Sequence, residues 1–404
     1  MNTLGIYLSI PFCRSKCTYC NFASDIYAGS SIERYAELLV ADIRGIRTRM
    51  KTVGARLPDR ADSIYFGGGT PSTLPPRALR SIFSAIRGEF ALAGDAEITL
   101  ECAPGQVGAE FVEAMLDCGV NRTSFGVQSF VDREAAVTGR LHNREIALQD
   151  LGRMREAGVA RVSVDLIAGL PHQTAQSWRE SLETLASTGV EHASIYMLEV
   201  DEDSRLGREV LAGGGRYHAD TVPSDDLVAE LYSEGVESLS SQGLGQYEIS
   251  NFARTGAESI HNEKYWMRKP YLGFGLDAHS MLRSDEGRPV RFETTYDLDG
   301  WLAQPSAREY HWLSREQEME EAWFLGLRRT AGVSRAGILE EFGAEAAEGY
   351  DQTLGELIED GLLAVEGDRF GLTARGRLLS NEVFGRFLVS KDAEKDERFA
   401  VEVT

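Results

Sequence analysis

The sequence predicts an α/β fold, with a partial barrel of six β/α units followed by an α+β region and a C-terminal winged-helix-like domain. In the first half, short β-rich segments alternate with helical segments, which is the pattern of a parallel sheet that curves into a barrel. Near the end of the chain, helices are followed by a two-stranded hairpin. A chain of 404 residues, 43% of them hydrophobic, can form two or three domains with buried cores.

The charge and the cysteine content restrict the partners and the compartment. The formal net charge is −21, from 63 acidic and 42 basic residues, and such a field repels nucleic-acid phosphates, so no nucleic-acid partner is expected. Five cysteines, three of them clustered, suit a reducing compartment, so we expect a cytoplasmic protein. We find no long apolar run and no basic-then-apolar leader, and therefore expect no transmembrane segment. Peripheral contact with a membrane and the oligomeric state are left open.

Strands and helices alternate over residues 1–215, the predicted barrel domain. The predicted strands are 5–12, 63–67, 97–103, 122–128, 161–169 and 192–198, and the predicted helices are 31–51, 75–90, 108–118, 143–157 and 174–187. Gly119, Gly158 and Gly189 follow three of these helices, as C-terminal glycine caps do. In a parallel barrel, ligands bind at the carboxyl ends of the strands, so polar residues there form the candidate site.

Three cysteines follow the first predicted strand, at positions 13, 17 and 20. A structural zinc site needs four closed tetrahedral positions, and no fourth Cys or His lies near Cys13, Cys17 and Cys20. A [4Fe–4S] cluster also takes four ligands, so three thiolates would leave one iron open to an outside molecule. A zinc loop and three unconnected thiols are the alternatives.

Glycines and polar residues mark the ends of the next strands. Gly67-Gly68-Gly69-Thr70 follows the second strand, where the absence of Cβ atoms lets a ligand approach the backbone. Glu101 ends the third strand, Gln128 ends the fourth, and Asp165 interrupts the apolar fifth strand. Alone, a triple glycine is usually a tight turn and a single acid is often a solvated or capping residue. Their shared position at strand ends predicts a ligand site.

Residues 216–310 form the predicted α+β region, with a helix at 224–241 and a strand at 243–252. The hexamer His261-Asn262-Glu263-Lys264-Tyr265-Trp266 follows. A histidine beside aromatic residues suits an axial ligand of haem iron and a porphyrin face. A packed histidine held by its neighbours, or a support for the site at the strand ends, are the alternatives.

Residues 311–390 are the predicted winged-helix-like domain. It has helices at 315–328, 334–342 and 349–360, a hairpin at 362–372 that turns at Gly367-Asp368, and a helix that starts at Thr373. Acidic residues crowd two of the helices and would repel phosphates, so we expect a packing or partner domain rather than a DNA-binding domain. These residues are Glu316, Glu318, Glu320, Glu321, Glu356, Glu359 and Asp360. Residues 391–404 are a predicted charged tail.

The C-x3-C-x2-C spacing, with Tyr19 before the third cysteine, resembles the radical S-adenosylmethionine (SAM) enzymes. In that family the open iron is chelated by the amino and carboxylate groups of SAM, and reduction of the cluster cleaves SAM to a 5′-deoxyadenosyl radical. Further segments resemble the branch that contains the oxygen-independent coproporphyrinogen III oxidases and the HemW-type haem chaperones. They are IYLSIPFC, YFGGGTP, EITLECAPG, SFGVQSF, GRLHN, VDLIAGLPHQT and QYEISNFA.

The resemblance implies a radical SAM barrel and roles for individual residues. Cys13, Cys17 and Cys20 would bind the [4Fe–4S] cluster, and Tyr7 and Tyr19 would lie beside the cluster or the adenine. Polar groups of SAM would be bound by Gly68, Gly69, Thr70, Glu101, Gln128, Arg140 and Asp165. Arg140 has the planar fork that suits a carboxylate, although a surface arginine is the alternative. The H-N-x-x-Y-W hexamer resembles the motif of the haem chaperones, which makes His261, Tyr265 and Trp266 haem candidates.

One position departs from the oxidases. They follow the third cysteine with another in the pattern C-x-C, whereas this chain has Phe22 there. The resemblance therefore implies a haem chaperone that binds a [4Fe–4S] cluster, SAM and haem and delivers haem to respiratory acceptor proteins. A radical SAM enzyme that acts on a porphyrinogen, such as an oxygen-independent coproporphyrinogen III oxidase, is the alternative. Whether the chain is an enzyme is left open, with oxidase activity in doubt because of Phe22.

Overall fold

The computed structural model describes residues 3–26 and 29–388, so the predicted tail at 391–404 lies outside the described residues. Strands occur throughout the described chain. They are β1 (Leu4–Ile10), β2 (Phe12–Cys13), β3 (Asp25–Ile26), β4 (Arg60–Gly68), β5 (Ala91–Cys102), β6 (Arg122–Gln128), β7 (Arg161–Ala168), β8 (His192–Met197), β9 (Gly245–Gln246), β10 (Asn251–Ala253), β11 (Tyr271–Phe274), β12 (His279–Arg283), β13 (Pro289–Glu293), β14 (Glu309–Trp312), β15 (Val333–Ser334), β16 (Leu363–Glu366) and β17 (Arg369–Leu372).

The helices alternate with these strands in the first half and cluster in the C-terminal part. They are α1 (Gly29–Val53), α2 (Pro76–Glu89), α3 (Ala109–Asp117), α4 (Asp132–Val137), α5 (Arg144–Glu156), α6 (Ala175–Thr188), α7 (Arg205–Leu211), α8 (Asp225–Ser241), α9 (Ile260–Trp266), α10 (Leu298–Ala303), α11 (Arg315–Arg328), α12 (Arg335–Phe342), α13 (Ala344–Glu348), α14 (Asp351–Glu359), α15 (Ala374–Leu378) and α16 (Ser380–Gly385). Short 3₁₀ helices occupy Pro71–Thr73 and Arg216–Thr221.

Six parallel strands form the curved centre of a twelve-stranded sheet, in the order β1, β4, β5, β6, β7 and β8. On one side, β11 runs parallel to β1 and leads to the antiparallel strands β12, β13 and β14. On the other side, β8 pairs with the antiparallel strands β10 and β9. The α/β prediction of six parallel strands in a partial barrel is confirmed.

Alternation along each strand separates an apolar outer face from a polar interior. The outer residues, such as Ile64, Leu100 and Val164, are fully buried in one large core that the helices cover. Inner residues of adjacent strands pair with each other, as when Arg122 Nη1 of β6 lies 3.2 Å from Glu97 Oε2 of β5. The barrel interior is therefore a polar environment that ends in the strand-end residues.

Glycines end the helices where the sequence indicated. Gly119, Gly158 and Gly189 have φ of 84°, 88° and 65°, the left-handed conformation that closes a helix at low steric cost. The predicted strand at 243–252 is wrong, since β9 and β10 are separate strands joined by a tight loop. Glu248 forms this loop because its Oε1 accepts hydrogen bonds from Ser250 N and Asn251 Nδ2, at 2.9 and 2.5 Å. The helix α4 was not predicted.

A second hydrophobic core lies in the C-terminal part. Trp323 of α11 stacks on Phe387, with 5.5 Å between ring centroids, and Phe370 of β17 meets the same indole edge-on at 5.8 Å. The hairpin of β16 and β17 turns at Gly367, which has a φ of 63°, and β15 pairs with β17 to make a three-stranded sheet. The winged-helix-like assignment and the domain bounds stay predictions.

Only part of the acidic charge of helix α11 lies at the surface, where Glu316 is exposed. Glu318 and Glu320 are buried, and Glu318 pairs with Arg283 of β12 at 2.5 Å. Glu321 pairs with Arg291 of β13 at 2.8 Å. Buried carboxylates that are compensated by arginines do not repel phosphates at a surface, so that part of the charge argument was wrong. These ion pairs attach the C-terminal helices to the sheet.

Candidate functional site

A cleft of about 810 Å³ opens at the carboxyl ends of the barrel strands and is bordered by the C-terminal domain. Most of the predicted site residues line it together: Cys13, Cys17, Tyr19, Cys20, Gly68, Gly69, Thr70, Glu101, Gln128, Arg140 and Asp165. Its volume lies within the range of about 300–1,000 Å³ that is usual for small-molecule and cofactor sites. Tyr7 and the haem candidates His261, Tyr265 and Trp266 do not line this cleft.

Each thiol of the cysteine loop has a polar neighbour. Thr70 Oγ1 lies 3.6 Å from the sulfur of Cys13, and Arg140 Nη1 lies 3.5 Å from that of Cys17. The Cys20 sulfur is 3.8 Å from the hydroxyl of Ser24. All three thiols are free and half-buried, and burial raises the pKa values of Cys13 and Cys20. A hydrogen bond to sulfur stabilises the thiolate that an iron–sulfur cluster requires.

No three His, Cys, Asp or Glu side chains in the part of the chain that the structure describes converge as the ligands of a single metal ion do. A [4Fe–4S] cluster takes each protein ligand at a different iron, so its cysteines do not have to meet at one point. The donor set of three free thiols beside an open cleft fits such a cluster.

The glycine loop after β4 touches the cysteine loop. Gly69 N donates to the Ile10 carbonyl and Thr70 N donates to the Phe12 carbonyl, both at 2.9 Å. A Cβ on Gly69 would lie 2.9 Å from Ile10 O and 3.0 Å from the Cys13 sulfur, closer than side-chain atoms are found. The loop therefore needs glycine at position 69, and the missing side chain leaves backbone open at the cleft.

Two partly buried carboxyl groups, Glu101 on β5 and Asp165 on β7, lie on strands that are separated only by β6. Glu101 Oε1 accepts a hydrogen bond of 2.8 Å from the Tyr65 hydroxyl. Asp165 Oδ1 accepts hydrogen bonds from Ser124 and Ser194, at 3.1 and 2.8 Å. Burial raises the pKa of Glu101 to about 8 and that of Asp165 to about 6, and these hydrogen bonds only partly offset it. Carboxyl groups perturbed in this way favour a ligand that brings positive charge or hydroxyl donors.

Gln128 and Arg140 are the other two predicted polar side chains at the strand ends that line the cleft. Gln128 has a φ of 69°, rare for a residue with a side chain, and among the described residues its buried Oε1 has no hydrogen-bond partner. Arg140 also donates to the Gly126 carbonyl and lines the cleft, so it is a half-buried residue of the site and not a surface arginine. Strained backbone and a buried acceptor without a donor are costly, and both are typical of a ligand site.

The two predicted tyrosines lie in different places. Tyr19 lines the cleft, where burial and the nearby Cys17 sulfur raise the pKa of its hydroxyl well above the usual value. Tyr7 lies inside the barrel and stacks on Tyr65, with 6.1 Å between ring centroids. Tyr7 does not line the cleft, and its expected place beside the cluster or the adenine stays a prediction.

The helix α9, which carries the H-N-x-x-Y-W hexamer, closes the opposite end of the barrel. His261 N donates to Glu97 Oε1 at 3.1 Å, and Lys264 Nζ lies 2.7 Å from Asp62 Oδ1. A Cβ on Gly5 would lie 2.8 Å from Lys264 Cδ. Gly5, Asp62 and Glu97 are at or near the amino ends of their paired strand segments, whereas the cysteines follow the carboxyl end of β1.

Both ring nitrogens of His261 are occupied. Nδ1 lies 3.0 Å from the Ser63 hydroxyl and Nε2 lies 2.7 Å from the Tyr265 hydroxyl. His261 is 1% exposed, and burial lowers its pKa to about 3. An iron atom could reach this imidazole only after both hydrogen bonds were broken. These contacts favour the alternative of a packed histidine held by its neighbours, and the iron-ligand role of His261 stays a prediction.

Sequence reasoning missed several residues of the site. Tyr65, which binds Glu101, stands two residues before the glycine loop on the inward face of β4, so alternation along that strand would have pointed to it. The C-terminal domain supplies a wall of the cleft, which no local signal indicates. Its lining residues are Arg328, Arg375, Leu378, Leu379, Ser380, Asn381 and Glu382.

Family models match two parts of the chain. The model described as "Radical SAM superfamily" matches residues 7–185, and the model described as "HemN C-terminal domain" matches residues 313–379. The first match covers most of the barrel and includes the cysteine loop and the strand-end residues. The second covers α11 to α15, including the hairpin.

Curated relatives match most of the chain. "Heme chaperone HemW" from Bacillus subtilis is 36% identical over 386 residues, which are 95% of this chain and 98% of the relative. "Radical S-adenosyl methionine domain-containing protein 1, mitochondrial" from Mus musculus is 34% identical over 82% of this chain and 74% of its own length. Among solved structures, coproporphyrinogen III oxidase (HemN) from Escherichia coli matches with a TM-score of 0.80 and 22% identity, over 96% of this chain and 90% of that chain. At that identity the likeness shows a shared fold.

Proposed function

Because the chain belongs to the HemW family of haem chaperones within the radical SAM superfamily, we propose that it binds a [4Fe–4S] cluster, SAM and haem and delivers the haem to an acceptor protein. The observation that carries this proposal is one cleft in which three free thiols, a glycine loop and buried polar side chains meet. The bound cluster supplies an open iron for the amino and carboxylate groups of SAM.

Cys13, Cys17 and Cys20 ligate the cluster. Thr70 and Arg140 hold two of the sulfurs from the side of the cleft, at 3.6 and 3.5 Å. Both hydrogen-bond donors stabilise the negatively charged thiolate form of these cysteines. The iron ions of a bound cluster would then neutralise that negative charge. Tyr19, which belongs to the loop between the second and third cysteines, lines the same cleft.

SAM occupies the wall at the carboxyl ends of β4 to β7. The backbone of Gly68, Gly69 and Thr70 receives its amino group, as exposed carbonyls suit an ammonium. Glu101 and Asp165 face its positive charge and hydroxyl groups, and Gln128 Oε1 gains the donor that it lacks. Arg140 contributes positive charge for a carboxylate beside the cysteine loop. In this assignment Tyr65 orients Glu101 through its 2.8 Å hydrogen bond.

Haem binds at the same cleft, not at the hexamer. The hydrogen bonds of His261 to Ser63 and Tyr265 give the hexamer a structural role in closing the amino end of the barrel. Phe22 and Leu141, which are 51% and 60% exposed, both line the cleft. Exposed apolar side chains beside a polar cleft suit a flat macrocycle such as a porphyrin.

The proposal is tested by anaerobic reconstitution followed by separate binding and transfer assays. About four irons per chain are expected, together with SAM binding, a haem spectrum and movement of haem to an apo haem protein. A reconstituted protein that takes up no haem would contradict the chaperone function while leaving the cluster and SAM assignments intact.

A radical SAM enzyme that acts on a porphyrinogen remains the second candidate, because all the residues proposed to bind SAM line one cleft. The same preparation, supplied with SAM, an electron donor and coproporphyrinogen, distinguishes the two. Consumption of coproporphyrinogen would favour the enzyme despite Phe22, whereas haem transfer without substrate loss would favour the chaperone.

A further inference from the structure

Four lysine and arginine residues line the cleft: Lys16, Arg140, Arg328 and Arg375. Three of them use their donors within the protein. Lys16 Nζ donates to the Phe22 and Ser24 carbonyls, Arg140 to the Gly126 carbonyl, and Arg375 Nη1 to the Asp360 carbonyl at 3.1 Å. Arg328 differs, since it makes no hydrogen bond to any residue of the described chain, and its buried Nε has no partner there.

Arg328 is the last residue of α11 and is only 6% exposed. Its guanidinium lies over the indole of Trp266, with Cζ 4.3 Å from the ring centroid. Such stacking covers the flat face of the guanidinium and leaves its in-plane N–H groups unused. The nearest carboxylate oxygen, Glu248 Oε2, is 4.0 Å from Nη2, which is too far for a hydrogen bond. The position at a helix C-terminus favours a cation but does not satisfy these donors.

The Nε–H group of Arg328 is costly to bury, because it has lost water and gained no acceptor. A planar, two-oxygen anion that enters the cleft would recover that cost, and a carboxylate matches the fork of an arginine. The other ionisable groups near Arg328 are Glu199 and Glu248, whose pKa values are raised by burial, and the tyrosines Tyr196 and Tyr232. Glu199 and Glu248 favour the charged form of Arg328, but they do not accept hydrogen bonds from its guanidinium.

We propose that Arg328 binds a carboxylate of the ligand in this cleft, a propionate of haem. This inference rests on the proposed function, and it assigns part of the haem site to the C-terminal domain. The carboxylate of SAM is the other source of the same chemistry. In the proposed arrangement it is held beside the cysteine loop near Arg140, whereas Arg328 belongs to the wall that α11 contributes. Trp266 then serves the site indirectly, by holding the guanidinium from behind.

The test compares the full-length, cluster-reconstituted protein with Arg328→Gln and Arg328→Lys. Haem and mesohaem dimethyl ester, which has no free carboxylate, are titrated into each protein by absorbance under anaerobic conditions. We expect Arg328→Gln to weaken haem binding by about 10- to 100-fold and to leave binding of the ester unchanged, as loss of a charged hydrogen-bonded pair predicts. Arg328→Lys should fall between, because it keeps the charge and loses the fork.

Arg375→Gln is the matched control, since it removes one positive charge from the same cleft at an exposed position. Its haem affinity should change by less than that of Arg328→Gln. Iron content and thermal unfolding check that each variant is folded, and if Arg328→Gln loses its cluster, Arg328→Lys takes its place in the comparison.

The outcomes separate this inference from the proposed function. If the wild type binds haem and Arg328→Gln binds it equally well, the assignment of Arg328 is wrong and the chaperone function stands. If Arg328→Gln weakens SAM binding and not haem binding, the carboxylate belongs to SAM and the propionate assignment is overturned. A wild type that binds the ester as tightly as haem also overturns it. Absence of any haem binding would remove both proposals.

Discussion

Gly69 lies so close to Cys13 that a Cβ atom at position 69 would come within 3.0 Å of the cysteine sulfur. The same atom would lie 3.0 Å from the Phe12 backbone nitrogen, which belongs to the short strand β2. The glycine loop and the cysteine loop are therefore a single structural unit. A side chain at position 69 would displace the cysteine loop, so the proposed cluster and SAM sites share a contact.

For Gly69→Ala we expect loss of most of the reconstituted iron and of SAM binding, because the added methyl group pushes the cysteine loop out of position. Iron, sulfide and SAM are measured on the same anaerobic sample. Gly94→Ala is the control, since nothing lies within 4 Å of a Cβ at that strand position. A Gly69→Ala protein with a full cluster would show that the loop adapts without cost.

Replacement of one cluster ligand should abolish the cluster. We expect Cys17→Ala to retain well under half of the wild-type iron after reconstitution, because two thiolates hold a [4Fe–4S] cluster poorly. Cys118→Ala, which removes a buried free cysteine outside the cleft, should keep the full complement. Equal iron contents in the two variants would disprove the assignment of the cysteine loop.

The pKa of Glu101 makes the stability of the ligand-free protein depend on pH. Its value in the folded protein is about 8, above the ordinary 4.5, so the folded state holds the proton more tightly. The free energy of unfolding then falls as pH rises from about 4.5 to about 8. Asp165 acts with the same sign but over a lower window, from 3.8 to about 6.

Glu101→Gln removes this dependence and keeps an acceptor for Tyr65. Between about pH 6 and about pH 8 the variant should therefore gain stability relative to the wild type, by at most about 1.4 kcal/mol per pH unit. Denaturant unfolding at several pH values measures this difference. Asp226→Asn, at an exposed carboxylate of the same cleft, is the control. Parallel curves for wild type and Glu101→Gln would mean that Glu101 is not perturbed.

A packed role for His261 predicts loss of stability rather than a changed haem spectrum. His261→Ala leaves Ser63 and Tyr265 without their shared partner and opens a cavity at the end of the barrel, which should cost about 2 to 4 kcal/mol of unfolding free energy. His311→Ala, at an exposed position of β14, should cost little. Chemical denaturation and the haem spectrum are recorded for both. An altered Soret band in a stably folded His261→Ala protein would restore the iron-ligand role.

The sequence by itself determined the alternation of strands and helices, the spacing of the cysteines and the glycines that end the helices. These features are local, since periodicity and left-handed glycines act over a few residues. The position of polar residues at strand ends was enough to predict that Glu101, Gln128 and Asp165 meet, because parallel strands bring their carboxyl ends to one edge. The spacing of the motifs and the order of the strands therefore predicted most of the residues that line the proposed cofactor site.

The tertiary structure alone decided which end of the barrel each motif occupies. The hexamer with His261 has the residue types expected of a haem site, yet α9 lies at the amino ends of the strands. There both ring nitrogens of His261 are hydrogen-bonded, one to Ser63 and the other to Tyr265. Arg328 has no local motif, and its place on the cleft follows from the docking of α11 through ion pairs such as Glu321 with Arg291. Contacts between residues far apart in sequence depend on how the two parts of the chain pack together. Local sequence patterns in either part do not show which of its surfaces the other part will cover.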